Sequence, residues 1–210
     1  MYKNRFEIVG ITIIMVVLLV TSFGCTCTTI GGKVYKNYYG WEDLRTPVNA
    51  VKVSAAAPPT WVSFRGSEVL QFEEVVNPAL QKAVYFSFQL PHTYKEGTDL
   101  YVHVHYVYGS DNRDNTAVWA LYYSYANINE VFSQEDFRQV TTTHGNSAQH
   151  LVASFDKISG AGLKISSMFV CKLYRDSQDA EDTYKDDLYL LEVDVHFEQD
   201  STGSTTQWIK

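Results

Sequence analysis

Hydrophobic side chains recur at every second position through most of the chain after residue 80, and this spacing constrains the fold more than any other feature. Ala83 to Leu90 puts Val84, Phe86 and Phe88 on one face. Leu100 to Tyr108 puts Leu100, Val102, Val104, Tyr106 and Tyr108 on one face and Tyr101, His103, His105 and Val107 on the other. A period of two is the signature of a half-buried β-strand, because successive side chains leave a pleated backbone on opposite sides. Thr116 to Tyr125, His150 to Phe155, Ser167 to Arg175 and Leu188 to Gln199 repeat the pattern, with turn-forming residues at 109–115, 144–147 and 159–162 between them. Adding Trp61 to Phe64, Val69 to Phe72 and Gln139 to Thr143 gives eight or nine short strands. Asn129 to Arg138 alone reads as helical, over one or two turns. With no helices to cross over between parallel strands, the chain is expected to form an all-β, antiparallel β-sandwich, jelly-roll-like.

Composition agrees. The 210 residues include 15 Tyr, 11 Phe and 4 Trp against 3 Met, an aromatic bias suited to pleated surfaces. A net charge of −7 removes the basic footprint that phosphate-backbone binding needs, so no nucleic-acid partner is expected. Three cysteines are too few for a disulfide-stapled scaffold or a multi-cysteine zinc module.

The N-terminus is a separate object. After Lys3 and Arg5, residues 8–23 (IVGITIIMVVLLVTSF) carry no charge. As a helix they would rise about 24 Å, short of the roughly 30 Å hydrocarbon core, although the uncharged run continues to Gly32. We therefore divide the chain into a hydrophobic signal or anchor segment, 1–32, expected to be helical, and a single β-sandwich domain, 33–210. The basic start, apolar middle and Gly24 before Cys25 resemble a bacterial lipoprotein signal, which would make Cys25 a lipidation site, but Ser22 and Phe23 depart from that pattern. An uncleaved membrane anchor through residues 8–23, a secretory signal and a misassigned start stay open beside it.

Two short patterns carry candidate chemistry. In His103-Val104-His105 the imidazoles leave one strand on the same side, about 7 Å apart, and Asp194-Val195-His196 does the same on another strand. If the two strands lie together, His103, His105, Asp194 and His196 form a nitrogen and oxygen donor set for a divalent metal such as Zn, Fe, Mn or Ni. The alternative is a set of polar side chains on a wet face. Gly97, His103 and His105 have the spacing of the first half of the cupin metal motif, whose second half fails here: Gly109 and Ser110 stand where a Glu ligand would, and the Pro-x-Gly turn is absent. Cys171, mid-strand, reads as a buried thiol with nothing nearby to activate it. The acidic loop 176–187 (DSQDAEDTYKDD) lacks EF-hand spacing and its glycine, so it reads as a solvated turn. No nucleophile elbow, phosphate-binding loop or His-Glu-x-x-His helix occurs, so no catalytic residues are assigned and no cofactor is expected apart from that metal.

The segment Leu90-Pro91-His92-Thr93-Tyr94-Lys95-Glu96-Gly97-Thr98-Asp99-Leu100 leading into His103-Val104-His105, then 119–128 (WALYYSYANI), 166–176 and 190–200 (LLEVDVHFEQD), resembles a family encoded among the structural genes of tailed bacteriophages and prophages. The likeness runs from about Trp41 to the C-terminus, and the apolar leader is foreign to it. The resemblance implies a non-enzymatic virion component, capsid- or tail-associated, whose partners are copies of itself, a trimer by analogy with viral jelly rolls, and other virion proteins. Location in the virion follows from it, with a membrane-anchored or exported location as the alternative that the leader raises. Two other functions stay open: a membrane-tethered, cupin-like metal-binding enzyme, and a glycan-binding surface module.

Overall fold

The computed structural model describes residues 25–30, 33–111, 113–142 and 145–210, with side chains from residue 39 onward. The expected leader helix falls on residues 1–24, outside the described residues. Strands β1 (Cys25–Ile30) and β2 (Lys33–Tyr38) pair antiparallel, so a hairpin crosses the boundary drawn at residue 32. The remaining strands are β3 (Gly40–Pro47), β4 (Lys52–Val53), β5 (Thr60–Phe64), β6 (Ser67–Phe72), β7 (Ala83–Gln89), β8 (Tyr101–Tyr108), β9 (Val118–Ala126), β10 (Asp136–Thr141), β11 (Leu151–Ser154), β12 (Met168–Arg175) and β13 (Leu188–Gln199). Two short 3-10 turns, Val48–Ala50 and Pro78–Leu80, are the only helical elements among the described residues.

The strands form two antiparallel sheets. One runs β10-β9-β12-β7-β4; the other runs β11-β8-β13-β6-β5, with β3 also paired to β13. From β6 to β13 the chain passes between the sheets in the jelly-roll order: β7-β12-β9-β10 forms one four-stranded unit and β6-β13-β8-β11 the other. The fold is therefore the antiparallel sandwich that the alternation predicts.

The expected helix over Asn129–Arg138 is absent. Asn129 takes a left-handed conformation (φ 65), and the Ser133 amide bonds the Tyr125 carbonyl at 2.8 Å, which turns the chain back beside β9. Asp136–Thr141 then pairs with β9 as the sheet edge, Phe137 opposite Tyr122 and Val140 opposite Trp119. Strand-ladder bonds to β9 thus outweigh the local helical pattern.

Between the sheets Phe72, Tyr106, Tyr108, Trp119, Leu121 and Phe169 are essentially inaccessible. Burying each such side chain contributes about 1.5–3 kcal/mol, so part of the aromatic wealth of the sequence lies in the core and part stays on the surface. Cys171 is buried as expected, and desolvation pushes its thiol up to about 12.

The segment that carries the family resemblance forms the joint between β7 and β8. Leu90, Tyr94 and Leu100 are fully buried, and the Tyr94 hydroxyl donates to the Thr98 carbonyl at 2.5 Å. Gly97 has φ +84, a conformation glycine adopts without steric cost. Lys95 pairs with Glu198 at 2.7 Å, and Asp99 accepts from Lys157 at 2.6 Å and from the Gly160 amide at 3.1 Å. Gly160 lies so close to the Thr98 carbonyl that an added Cβ would sit 1.7 Å from its oxygen, and only glycine fits.

Candidate metal centre

The outer face of the second sheet carries all four histidine and aspartate residues singled out by the alternation. Strand β8 points Val102, Val104 and Tyr106 into the core, which sends His103 and His105 outward. On β13 the phase changes midway. Leu188 and Leu190 face the core, and so do Val193, Val195 and Phe197, because the pairing with β8 shifts between Leu190 and Glu192. This irregularity inserts one residue, as a β-bulge does, and turns Asp194 and His196 to the same side as the β8 histidines. Without it, strict alternation from Leu188 would bury both.

Register then fixes the neighbours. Asp194 lies directly opposite His103 on one side and Arg45 of β3 on the other; His196 lies opposite Tyr101 and Asp43. The Asp194 carboxylate is only 4% exposed and sits among three imidazoles. Its Oδ2 is 3.1 Å from His105 Nε2 and 3.3 Å from His196 Nε2. Its Oδ1 faces His103 Nδ1 at 3.4 Å, outside hydrogen-bond geometry, and has no hydrogen-bond partner. The rings of His103 and His196 meet edge to face with centroids 4.2 Å apart.

Arg45, although directly across from Asp194, does not neutralise it. Its guanidinium makes a two-pronged contact with Glu192, at 2.6 and 2.7 Å. Burial pushes the Asp194 carboxyl up, but His103, and after it His105 and His196, outweigh burial and hold it below the ordinary carboxylate range. The group is therefore an anion whose compensating partners are imidazole nitrogens, the ligand chemistry that suits borderline divalent metals.

Two residues of the cluster are not singled out by the sequence pattern, although His150 opens the segment His150 to Phe155 that reads as a strand. Asp43 Oδ1 lies 3.0 Å from His196 Nε2, and His150 Nε2 lies 2.7 Å from His105 Nδ1 with the two rings stacked. Asp43 belongs to β3, a strand whose outward residues Trp41, Asp43 and Arg45 alternate but whose inward ones are only partly apolar. His150 sits just ahead of β11, and only the β11–β8 pairing brings it to His105. His105 thus bridges Asp194 and His150. With its Nε2–H donating to the carboxylate, its Nδ1 accepts from His150.

Among the described residues, His103, Asp194 and His196 place one ligand atom each within 4.8 Å of one another. His105 stands behind them against Oδ2. The jelly-roll interior is filled by Val102, Val104 and Tyr106 beneath these histidines, so the centre lies on an open sheet face and not inside the barrel where a cupin-like reaction chamber would be. Cys25 opens β1, with its backbone opposite Tyr38, and its side chain is outside the described residues. No helix among the described residues is long and apolar enough to cross a membrane.

No protein-family model and no curated protein sequence matches the chain. Several solved structures are similar at low sequence identity. An Arthrobacter globiformis isomalto-dextranase complexed with panose superposes with a TM-score of 0.47 and 12% identity over 73% of this chain and 23% of its own. The C-terminal family 22 carbohydrate-binding module of Clostridium thermocellum Xyn10B gives 0.35 and 14% over 78% and 88%. The infectious bursal disease virus VP2 subviral particle gives 0.38 and 10% over 87% and 41%. This chain spans about a quarter of the length of the first two structures it matches. None of these similarities says what the chain binds.

Proposed function

We propose that this protein is a non-enzymatic structural component of a tailed-phage virion, a jelly-roll subunit that assembles with copies of itself into a closed oligomer, a trimer by expectation. The sequence resemblance from Trp41 onward supports this reading, and so does a sandwich whose interior is given over to packing. The observation that carries it is on the outer face of the first sheet. There Lys52, Tyr85, Lys172, Tyr122 and Phe137 stand in one row across all five strands, each opposite the next. Lys172 Nζ lies 4.9 Å from the Tyr174 ring centroid and 5.6 Å from that of Tyr122, and Tyr122 packs on Phe137 at 4.8 Å. Val170 and Met168 lie exposed on the same face. A contiguous aromatic surface with Lys172 at its centre and Lys52 at its edge resembles a subunit contact in its aromatic enrichment.

The test is to purify particles from an induced host, determine the copy number of this chain in them by quantitative mass spectrometry, and weigh the full-length chain in mild detergent by native mass spectrometry. We expect a fixed stoichiometric copy number and a closed oligomer. A chain absent from particles and monomeric at micromolar concentration overturns the reading. Saturable binding to a polysaccharide by such a monomer, lost in Tyr122→Ala, would assign the same row to a glycan instead.

A further inference from the structure

We propose that His103, Asp194 and His196 bind one divalent transition-metal ion of the zinc class, with Asp43 completing the donor set and His105 positioning the carboxylate. This site is independent of the virion reading and stands on different residues.

The geometry begins with Asp194. Its two oxygens have different surroundings: Oδ2 is occupied by His105 and His196, whereas Oδ1 is buried and faces His103 Nδ1 alone, in an ion-pair contact outside hydrogen-bond geometry. Buried carboxylate oxygens are ordinarily hydrogen-bonded, and here the facing group is an imidazole nitrogen outside good hydrogen-bond geometry, a pair of donor atoms that a metal ion can bridge. The Oδ1–Nδ1 separation of 3.4 Å is also informative. A tetrahedral zinc with ligands at about 2.0–2.1 Å requires neighbouring donor atoms about 3.3–3.4 Å apart. His196 Nε2 lies 3.3 Å from the other oxygen, Oδ2, and 3.0 Å from Asp43 Oδ1; one ligand atom from each of His103, Asp194 and His196 lies within 4.8 Å of the other two, so His196 supplies the third donor and brings in Asp43 as the fourth.

The donor set, two imidazoles and two carboxylates, favours zinc, cobalt(II) or manganese over the harder calcium and magnesium, which take oxygen ligands almost exclusively. His105 holds Oδ2 from behind and is itself held by His150, the arrangement by which an outer shell fixes a ligating carboxylate. The ligands come from β3, β8 and β13, so the ion would rivet β3 to the strands beside it. Binding only the folded form, it should raise the melting temperature by about 5–10 °C at 100-fold excess over Kd.

The experiment titrates the full-length chain in mild detergent with cobalt(II) and then with zinc, following visible absorption, calorimetric stoichiometry and the melting temperature. One cobalt per chain is expected, with the intense visible bands of four-coordinate cobalt, bleached by one equivalent of zinc. His103→Ala and His196→Ala should each abolish binding. His105→Gln should weaken it about 10–100-fold while keeping the same spectrum, as a positioning residue does. His103→Gln serves as a second ligand variant if the alanine form fails to fold. Lack of stoichiometric cobalt or zinc on the folded chain overturns the proposal, and so does binding that survives in the folded His103 and His196 variants.

Discussion

At the residue scale, the most demanding group in the molecule is Arg175. Its side chain is 1% exposed and that of its partner Asp182 is fully buried. All five guanidinium N–H groups are used: Nε and Nη2 grip the Asp182 carboxylate at 2.9 and 2.8 Å, Nη2 also donates to the Tyr184 carbonyl, and Nη1 donates to the carbonyls of Asp186 at 2.6 Å and Phe72 at 3.3 Å. Asp182 Oδ2 accepts the Val118 amide as well. The acidic loop is therefore only in part the solvated turn its composition suggests, because one carboxylate among six is folded inward as the counter-ion of a buried guanidinium. Sequence cannot tell that aspartate from its neighbours, since the distinction arises from β12 delivering Arg175 to the same place. Removing one partner of a buried pair strands the other charge. Asp182→Ala is expected to lower unfolding stability by about 3–5 kcal/mol in urea denaturation. Glu181→Ala, on the exposed side of the same loop, should stay within about 0.5 kcal/mol. Equal effects at both positions would mean that the loop itself, and not the ion pair, holds this corner.

At the element scale, the strands with strong alternation were legible because each has one face committed to the core, and a one-residue slip would expose every apolar side chain at once. β3 and β4 were not legible as strands, and β10 only in its second half, where Gln139 to Thr143 reads as one while Asp136 to Arg138 falls in the expected helix. β4 has two residues, and β3 and β10 lie at the margins of the sheets, where burial is too weak to impose a pattern on the sequence. The candidate centre was half legible for a related reason. His103, His105, Asp194 and His196 lie in pairs two apart on strands that could be read, whereas Asp43 arrives through unread β3 and His150 stands alone at the start of the segment read as His150 to Phe155. The adjacent pair Leu190-Leu191 was the one visible trace of the phase change on β13. The margins also have their own fastenings. At β10, the Tyr123 hydroxyl donates to Asp136 Oδ2 at 2.6 Å, and Arg138 Nη1 reaches Oδ1 at 3.0 Å. The Tyr123 hydrogen bond chiefly, opposed by burial and aided by the Phe137 amide and Arg138, holds the Asp136 carboxyl below its ordinary value. Its folded value thus lies below its unfolded one, so the stabilisation is complete above the unfolded value of about 3.9 and is lost as pH falls through the folded value. Hydrogen-exchange protection of the β10 amides, corrected for intrinsic rates, should fall from pH 5 to about pH 2.5, more than that of central β12. Tyr123→Phe should blunt the fall; an unchanged profile would show that this bond does not fasten the edge.

At the scale of the whole molecule, the two outer faces differ in kind. One presents imidazoles, carboxylates and the Arg45–Glu192 pair, groups that stay hydrated or take an ion. The other presents Tyr85, Tyr122, Tyr174, Phe137, Val170 and Met168 around Lys172, and has its own small apolar cluster of Ala83, Ala120 and Tyr174 packed with Tyr122. Apolar groups gain from leaving water without regard to direction, whereas the charged face would lose hydration that a second protein surface must replace group for group. If the proposed assembly forms, contact between its subunits should therefore use the aromatic face. Val170 provides the clean probe: it is 44% exposed, lies between Ser87 and Ser124 on the flanking strands, and supports no core residue from that side. Val170→Asp places an unpaired carboxylate at the centre of the face. Its unfolding midpoint should match the parent within about 0.5 kcal/mol, as surface substitutions do. The proposed oligomer should nonetheless dissociate, because a charge buried at a contact without a partner costs several kcal/mol. The same substitution in a monomeric chain would change neither mass nor midpoint. An oligomer that persists in Val170→Asp would move the contact to another surface and leave the aromatic row free for a different ligand.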